Sequence, residues 1–146
     1  MNILILNGPN LNLLSQRDKS NYGNKDFNII LEELKKEFPD VIFSYFQSNS
    51  EGELIDKIHE ASEIYDGLII NPGGYAHTSV AIKDALEICK IPKVEVHLSN
   101  LAKREDFRQN LLTASNCDGY ISGLKDLGYY LAVIALKRLN FERSIT

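Results

Sequence analysis

The chain has 146 residues, 44% of them hydrophobic and 25% charged, which predicts one folded domain with its own core. A formal net charge of −4 argues against nucleic acid or an anionic membrane as the main partner, although a few local cations could still bind an anionic substrate. There is no apolar run of the roughly 20 residues that a membrane helix needs. Cys89 and Cys117 have neither CxxC nor metal-ligand spacing, so we expect two reduced thiols in a cytoplasmic protein.

Short apolar runs alternate with helix-period segments, which predicts βαβ units and a parallel sheet. The continuous apolar run Ile3–Leu6 predicts a first strand covered on both faces. A polar, aperiodic stretch follows, and its length predicts a lid loop at about residues 12–25. Apolar residues then recur at helical spacing from Phe27 to Phe38, and the β-branched and aromatic run Val41–Phe46 predicts the second strand.

The rest of the chain continues this alternation. Ser50, with Glu53 three residues later, predicts a capping box at the start of the next helix. The elements predicted after that helix are strand Gly67–Ile70, a helix capped by Thr78 or Ser79, strand Lys93–His97, a short helix Arg104–Leu112, strand Gly119–Ser122 and a final amphipathic helix Leu127–Leu139.

Five strands that alternate with helices predict an α/β fold, namely a flavodoxin-like three-layer αβα domain with a five-stranded parallel sheet. The helix after Ser79 is expected to bury an apolar face formed by Val80, Ala81, Ala85 and Ile88. In this architecture ligands bind beyond the carboxyl ends of the strands, so the loops after strands one, three and four are the candidate site.

The loop after strand three, Asn71–Ser79, combines an amide, two glycines and an imidazole. Its glycines permit tight turns and close backbone approach, and the helix that follows offers free N–H groups to an anion. A tight βα turn without function would show similar glycines. Asp84 lies seven residues after His77, which predicts that the two share one helix face, unless Asp84 is only a solvated charge.

Strand alternation places Glu95 and His97 on one face of strand four. A carboxylate there can orient the imidazole, as general acid–base catalysis requires, although an incidental histidine at a strand end is the alternative. His59 has no partner in its helix and is expected at the surface.

The lid contains Tyr22 and Arg17. A tyrosine serves as a base near neutral pH only when cations stabilise its anion, and one arginine about 4 Å away supplies roughly 4 kcal/mol at an effective dielectric near 20. Without other evidence, both could simply be exposed loop residues.

At this point the sequence resembles the type II 3-dehydroquinate dehydratases. The matching motifs run in order through nearly the whole chain. They are Asn7-Gly8-Pro9-Asn10-Leu11, Tyr22-Gly23, Gln47-Ser48-Asn49, Glu51-Gly52, Asn71-Pro72-Gly73-Gly74, His77-Thr78-Ser79, Glu95-Val96-His97-Leu98-Ser99-Asn100 and Arg104-Glu105-Asp106-Phe107-Arg108. The family usually has Glu-Pro shortly after the lid arginine, whereas Asp18-Lys19-Ser20 follow here, so the lid is expected to close differently.

The resemblance implies a hydro-lyase of the shikimate pathway that eliminates water in the anti sense from 3-dehydroquinate, through an enolate, to give 3-dehydroshikimate. It implies that Tyr22, as tyrosinate, removes the proton, that Arg17 stabilises this tyrosinate and that Arg104 can contribute to the same tuning. It further implies that Asn10 helps to stabilise the enolate, and that His97, oriented by Glu95, protonates the departing hydroxyl.

For binding, the resemblance implies that the substrate carboxylate contacts Leu98 and Ser99, while Asn71, His77 and Arg108 hold ring hydroxyls. It implies that Asp84 reaches the site of a neighbouring subunit in a dodecamer built from trimers. It also implies a single catalytic domain, residues 1–146, with no cofactor, no metal, and neither nucleic acid nor membrane as a partner.

Two other functions share this fold class. A receiver-type signalling module needs a phosphoryl-accepting aspartate at the end of strand three, where this chain has Asn71. A flavodoxin-like FMN carrier needs a Ser/Thr-rich phosphate loop after strand one, and Pro9 with Asn10 fits that loop poorly.

Overall fold

In the computed structural model, which describes residues 1–146, five parallel strands form one sheet in the order β2-β1-β3-β4-β5. The strands are β1 (Asn2–Asn7), β2 (Ile42–Gln47), β3 (Gly67–Asn71), β4 (Lys93–His97) and β5 (Gly119–Ser122). The helices are α1 (Lys19–Tyr22), α2 (Phe27–Glu37), α3 (Glu51–Ile64), α4 (Val80–Ile88) and α5 (Leu127–Ser144). This arrangement confirms the predicted flavodoxin-like αβα fold.

The sheet separates two hydrophobic cores, because successive strand residues point to opposite faces. Ile3 and Ile5 of β1 pack toward α2 and α5, whereas Leu4 and Leu6 pack toward α3 and α4. The three central strands are buried along almost their whole length. The continuous apolar runs of β1 and β3 predict this burial, whereas β4 is equally buried although Lys93, Glu95 and His97 alternate with its valines. The loops at their carboxyl ends are therefore held by a rigid base.

The predicted apolar face of α4 is confirmed at Ala85 and wrong at its other three residues. Val80 and Ile88 are 58% and 64% exposed, and Ala81 is exposed as well. The buried side chains of α4 are Ile82, Ala85 and Leu86, with Cys89 just beyond its end. Ser79 caps the helix by accepting a hydrogen bond from the Ile82 N–H at 2.9 Å. Sequence spacing fits both faces, since apolar residues surround this helix, and packing against α3 selects one.

Other elements differ in detail. Within the predicted helix Arg104–Leu112 there is only a 3₁₀ turn, Asp106–Gln109, and a second turn, Leu101–Lys103, precedes it. Helix α5 continues to Ser144, beyond its predicted end at Leu139. Only half of the predicted capping box forms: the Ser50 hydroxyl accepts from the Glu53 N–H, but the Glu53 carboxylate accepts instead from the Ser48 hydroxyl at 2.9 Å. His59 is exposed, as predicted. None of the helices combines the length and hydrophobicity that crossing a membrane requires.

Candidate active site

A pocket lies where the loops after β1, β3 and β4 meet, beyond the carboxyl ends of the strands. It encloses about 340 Å³ of empty space when its open mouth is included. Its lining residues are Leu11, Arg17, Tyr22, Asn71, Gly73, Gly74, His77, His97, Leu98, Ser99, Leu101, Arg104 and Arg108. The structure thus brings together every predicted site residue except Asn10, Glu95 and Asp84.

The Tyr22 hydroxyl oxygen receives hydrogen bonds from two guanidinium groups, at 2.5 Å from Arg17 and 2.9 Å from Arg104. The Arg17 guanidinium also lies 3.7 Å from the centre of the Tyr22 ring. Because arginine can only donate hydrogen bonds, this phenolic oxygen serves as a double acceptor for charged donors. Two positive charges therefore contact the oxygen that a tyrosine base would use.

Local sequence holds Tyr22 in place through α1, a single helical turn in the lid. Asp18 caps this turn: its carboxylate accepts hydrogen bonds from the Ser20 N–H at 2.9 Å and the Ser20 hydroxyl at 2.7 Å. These bonds lower the pKa of Asp18, so the cap is charged at neutral pH. Just after the turn, Lys25 bridges Glu33 at 2.9 Å and Asp126 at 3.1 Å and ties the lid to α2 and to the start of α5.

The predicted Glu95–His97 pair forms at the end of β4. The His97 Nε2 atom donates to the Glu95 carboxylate at 2.7 Å, and Glu95 accepts a second hydrogen bond from the Thr113 hydroxyl. Glu95 is fully buried behind His97, so it supports the imidazole without lining the pocket. This bond occupies Nε2 and leaves Nδ1 of His97 for a ligand.

His77 lies beside this pair, with its ring centre 6.1 Å from that of His97. Its Nδ1 atom donates to the Asn110 carbonyl at 2.9 Å, so its Nε2 atom is left as an acceptor in the neutral ring. Burial lowers the pKa of His77, and the nearby His97 and Arg108 side chains act in the same direction, against the Asn110 hydrogen bond and Glu95. A neutral His77 can accept a hydrogen bond from a hydroxyl group of a ligand.

Backbone donors complete the pocket after β4. The N–H groups of Leu98 and Ser99 donate to no protein acceptor, and the Ser99 hydroxyl lies 2.9 Å from an Arg104 nitrogen. Glu105 holds Arg108 by a 2.7 Å ion pair and also lies 3.5 Å from Arg104. Three arginines therefore converge on one pocket of an acidic chain, which favours an anionic ligand.

Asn10 and Asp84 lie outside the pocket. Asn10 is exposed in a left-handed conformation with φ of 69°, and its backbone N–H donates to Asn49. The prediction that His77 and Asp84 share a helix face is wrong, because His77 ends a 3₁₀ turn before α4 begins and is buried, whereas Asp84 is exposed. Helical spacing cannot relate the two residues, because they lie in separate elements.

Sequence reasoning missed several residues that support the site. Thr113 and Glu105 hold Glu95 and Arg108. Thr113 carries no local signal of that role, whereas the three-residue spacing of Glu105 from Arg108 could have indicated their ion pair. Leu11 and Leu101 form apolar walls, and only the carboxyl-end position of their loops could have indicated them. No group of three or more His, Cys, Asp or Glu side chains is arranged to hold a metal ion.

Fold and site together define an acid–base enzyme acting on a small anionic molecule, with separate tyrosine and histidine groups facing one positive pocket. The model of the dehydroquinase class II family matches residues 1–137, and the chain belongs to that family. It is 54% identical over 140 residues to the 3-dehydroquinate dehydratase of Clostridium perfringens, covering 94% of this chain and 97% of that protein. It is 49% identical over 147 residues to the enzyme of the same name from Thermotoga neapolitana, covering 99% of both.

A solved structure shows the same fold. The type II dehydroquinase from Butyrivibrio crossotus superposes with a TM-score of 0.90 at 42% identity, covering 94% of this chain and 97% of that one. This membership leaves no support for the receiver-type and FMN-carrier alternatives.

Proposed function

We propose that the chain is a type II 3-dehydroquinate dehydratase, a hydro-lyase that removes water from 3-dehydroquinate by anti elimination through an enolate. The product is 3-dehydroshikimate, which places the reaction in the shikimate pathway that leads to aromatic amino acids. The observation that carries the chemistry is the Tyr22 hydroxyl held by Arg17 and Arg104 inside the pocket.

Tyr22, as tyrosinate, takes a proton from the carbon next to the ketone, and the electron pair of that C–H bond forms the enolate. Two guanidinium donors stabilise the phenolate before reaction and hold its oxygen in a fixed position. Asn10 stabilises the enolate oxygen through a water molecule. Its side chain makes no hydrogen bond within the chain and is free to turn toward the pocket.

His97 then protonates the departing hydroxyl, so that the C–O bond breaks and water leaves. The proton comes from Nδ1, because Nε2 is bonded to Glu95. The buried carboxylate stabilises the positive ring that carries this proton, and the Thr113 hydroxyl helps to fix the carboxylate. Solvent afterwards removes the proton from Tyr22 and returns one to His97.

The substrate carboxylate binds the free N–H groups of Leu98 and Ser99 together with the Ser99 hydroxyl. Asn71, His77 and Arg108 hold the ring hydroxyls, each from a separate wall of the pocket. The whole chain forms one catalytic domain, with the residues at about 12–25 acting as its lid.

Asp84 reaches the site of a neighbouring subunit in a dodecamer of trimers. Its exposure on α4, between the exposed apolar residues Val80 and Ile88, supports this proposal. The free thiols of Cys89 and Cys117 fit the cytoplasm as its location. Sedimentation of the purified protein tests the assembly, and a monomer at micromolar concentration would contradict it.

The activity is tested by adding 3-dehydroquinate to the purified protein and following the ultraviolet absorbance of the conjugated enone. We expect Tyr22→Phe to lower kcat by about 10³-fold or more, since it removes the base, while KM changes little. The matched control is Tyr120→Phe, because Tyr120 is exposed on β5 outside the pocket. Folded wild-type protein without an absorbance rise would refute the function, and an active Tyr22→Phe variant would place the base elsewhere.

A further inference from the structure

A buried polar network lies directly beneath the pocket and connects α5 to the substrate side of the sheet. Tyr129 is fully buried, and its hydroxyl donates to the Asn7 side-chain oxygen at 2.8 Å. The same hydroxyl oxygen accepts a hydrogen bond from the Asn71 side-chain nitrogen at 3.2 Å. Asn71 lines the pocket, whereas Tyr129 and Asn7 do not.

The orientation of the Asn71 amide follows from one backbone group. The Gly73 N–H can only donate, and it lies 3.1 Å from the Asn71 Oδ1 atom, so that oxygen is its acceptor. The Nδ2 atom of Asn71 must then face Tyr129 and donate to it. The Tyr129 hydroxyl thus accepts from Asn71 and donates its own hydrogen to Asn7 Oδ1. The Gly73 N–H therefore determines the orientation of the Asn71 amide.

The network is also rigid. Asn7 and Asn71 end the adjacent strands β1 and β3 and are paired in register, and the Gly8 N–H donates to the Asn71 carbonyl at 2.7 Å. The Tyr129 ring packs edge-on against Phe27 with centres 5.0 Å apart. The Asn7 side-chain oxygen accepts its hydrogen bond from the Tyr129 hydroxyl, which ties this amide to α5.

We propose that Tyr129 is a positioning residue for substrate recognition. Its hydroxyl and the Gly73 N–H clamp the Asn71 amide from both sides, so that the second Nδ2 hydrogen and the second Oδ1 lone pair are presented to the substrate in a fixed arrangement. This inference rests on the proposed function, in which Asn71 holds a ring hydroxyl of 3-dehydroquinate. It gives α5, which has no residue in the pocket, a role in binding.

Tyr129→Phe tests the proposal, because it removes one oxygen and keeps the ring. We expect KM for 3-dehydroquinate to rise about 10-fold, the equivalent of one misplaced hydrogen bond, while kcat changes less than about 3-fold. The control is Tyr120→Phe, which also removes one phenolic oxygen. Tyr120 is exposed on β5 outside the pocket, so the KM of this variant should equal that of the wild type.

Two further variants separate positioning from a general loss of packing. Asn71→Ala removes the amide on which Tyr129 acts. The double variant with Tyr129→Phe should therefore have the same KM as Asn71→Ala alone. Asn7→Ala removes the acceptor of the Tyr129 hydroxyl hydrogen. That hydrogen can then point toward the Asn71 amino group and displace it, so KM should again rise.

A rise in KM that persists in the Asn71→Ala background, or an unchanged KM in both Tyr129→Phe and Asn7→Ala, would overturn the proposal. Wild-type protein that does not turn over 3-dehydroquinate would instead refute the proposed function, so the two failures are distinguishable.

Discussion

Replacing Thr113 by valine removes one hydroxyl group beneath the Glu95–His97 pair and changes the side-chain volume little. Thr113 and Glu95 are both fully buried, so water cannot take the place of the lost hydroxyl unless the surrounding side chains rearrange. The carboxylate would keep its bond to His97, but its other oxygen would lose the Thr113 hydroxyl. The change therefore tests whether Thr113 holds the Glu95 side chain in place.

The expected magnitude follows from two opposing effects. A hydrogen bond to a charged group contributes about 1.5–3 kcal/mol to stability. Burying a methyl group in place of the hydroxyl returns about 0.8 kcal/mol. The net loss is about 1–2 kcal/mol, or roughly a 10-fold decrease in the folding equilibrium constant. For a chain of this length the melting temperature should fall by about 3–7 °C.

The assay is urea unfolding of wild type and Thr113→Val at equal protein concentration, together with kcat for 3-dehydroquinate. Thr113→Ser is the matched control, because it keeps the hydroxyl and loses only a methyl group, at a cost of about 1 kcal/mol. We expect kcat to fall in Thr113→Val and to stay near the wild-type value in Thr113→Ser. Equal kcat values in wild type and Thr113→Val, with stabilities within about 0.5 kcal/mol, would refute the argument that Thr113 holds the catalytic carboxylate.

Two further predictions concern the walls of the pocket. A Cβ atom added at Gly8 would lie 2.5 Å from the Pro72 carbonyl oxygen, so Gly8→Ala should push the loops after β1 and β3 apart. We expect the free energy of unfolding to fall by about 1–3 kcal/mol and KM to rise, as measured by urea unfolding and steady-state kinetics. Unchanged values of both would contradict this packing. Burial lowers the pKa of His77 in the folded state, so the unfolded chain binds the proton more readily, and the stability of wild type relative to His77→Asn should fall as pH drops below about 6.5. A pH-independent difference in unfolding free energy between these two proteins would show that His77 is not held neutral by the fold.

Much of the fold was predictable because it depends on short-range patterns. The strands Lys93–His97 and Gly119–Ser122 match their predicted bounds, and β1 and β3 show the apolar runs that burial on both faces requires. The five-stranded parallel sheet followed from the alternation of strands and helices. The burial of α4 did not, since Val80 and Ile88 are as hydrophobic as Ile82 and Leu86, and contact with α3 decides between them.

The sequence by itself determined which chemical groups are present and at which edge of the sheet they gather. Glu95 and His97 face each other because strand residues alternate, a rule that acts over two positions. Tyr22 and Arg17 are five residues apart in one predicted loop, so their proximity could also be predicted from the sequence.

Only the tertiary structure decided the contacts between distant parts of the chain. Arg104 meets Tyr22 across 82 residues, Thr113 supports Glu95 across 18, and Tyr129 reaches Asn7 across 122. Such contacts leave no periodic signal in the sequence, because the distance between two loops or between a helix and a strand end is set by how the layers pack. Periodicity places a residue on an element, and packing alone decides which other residue it touches.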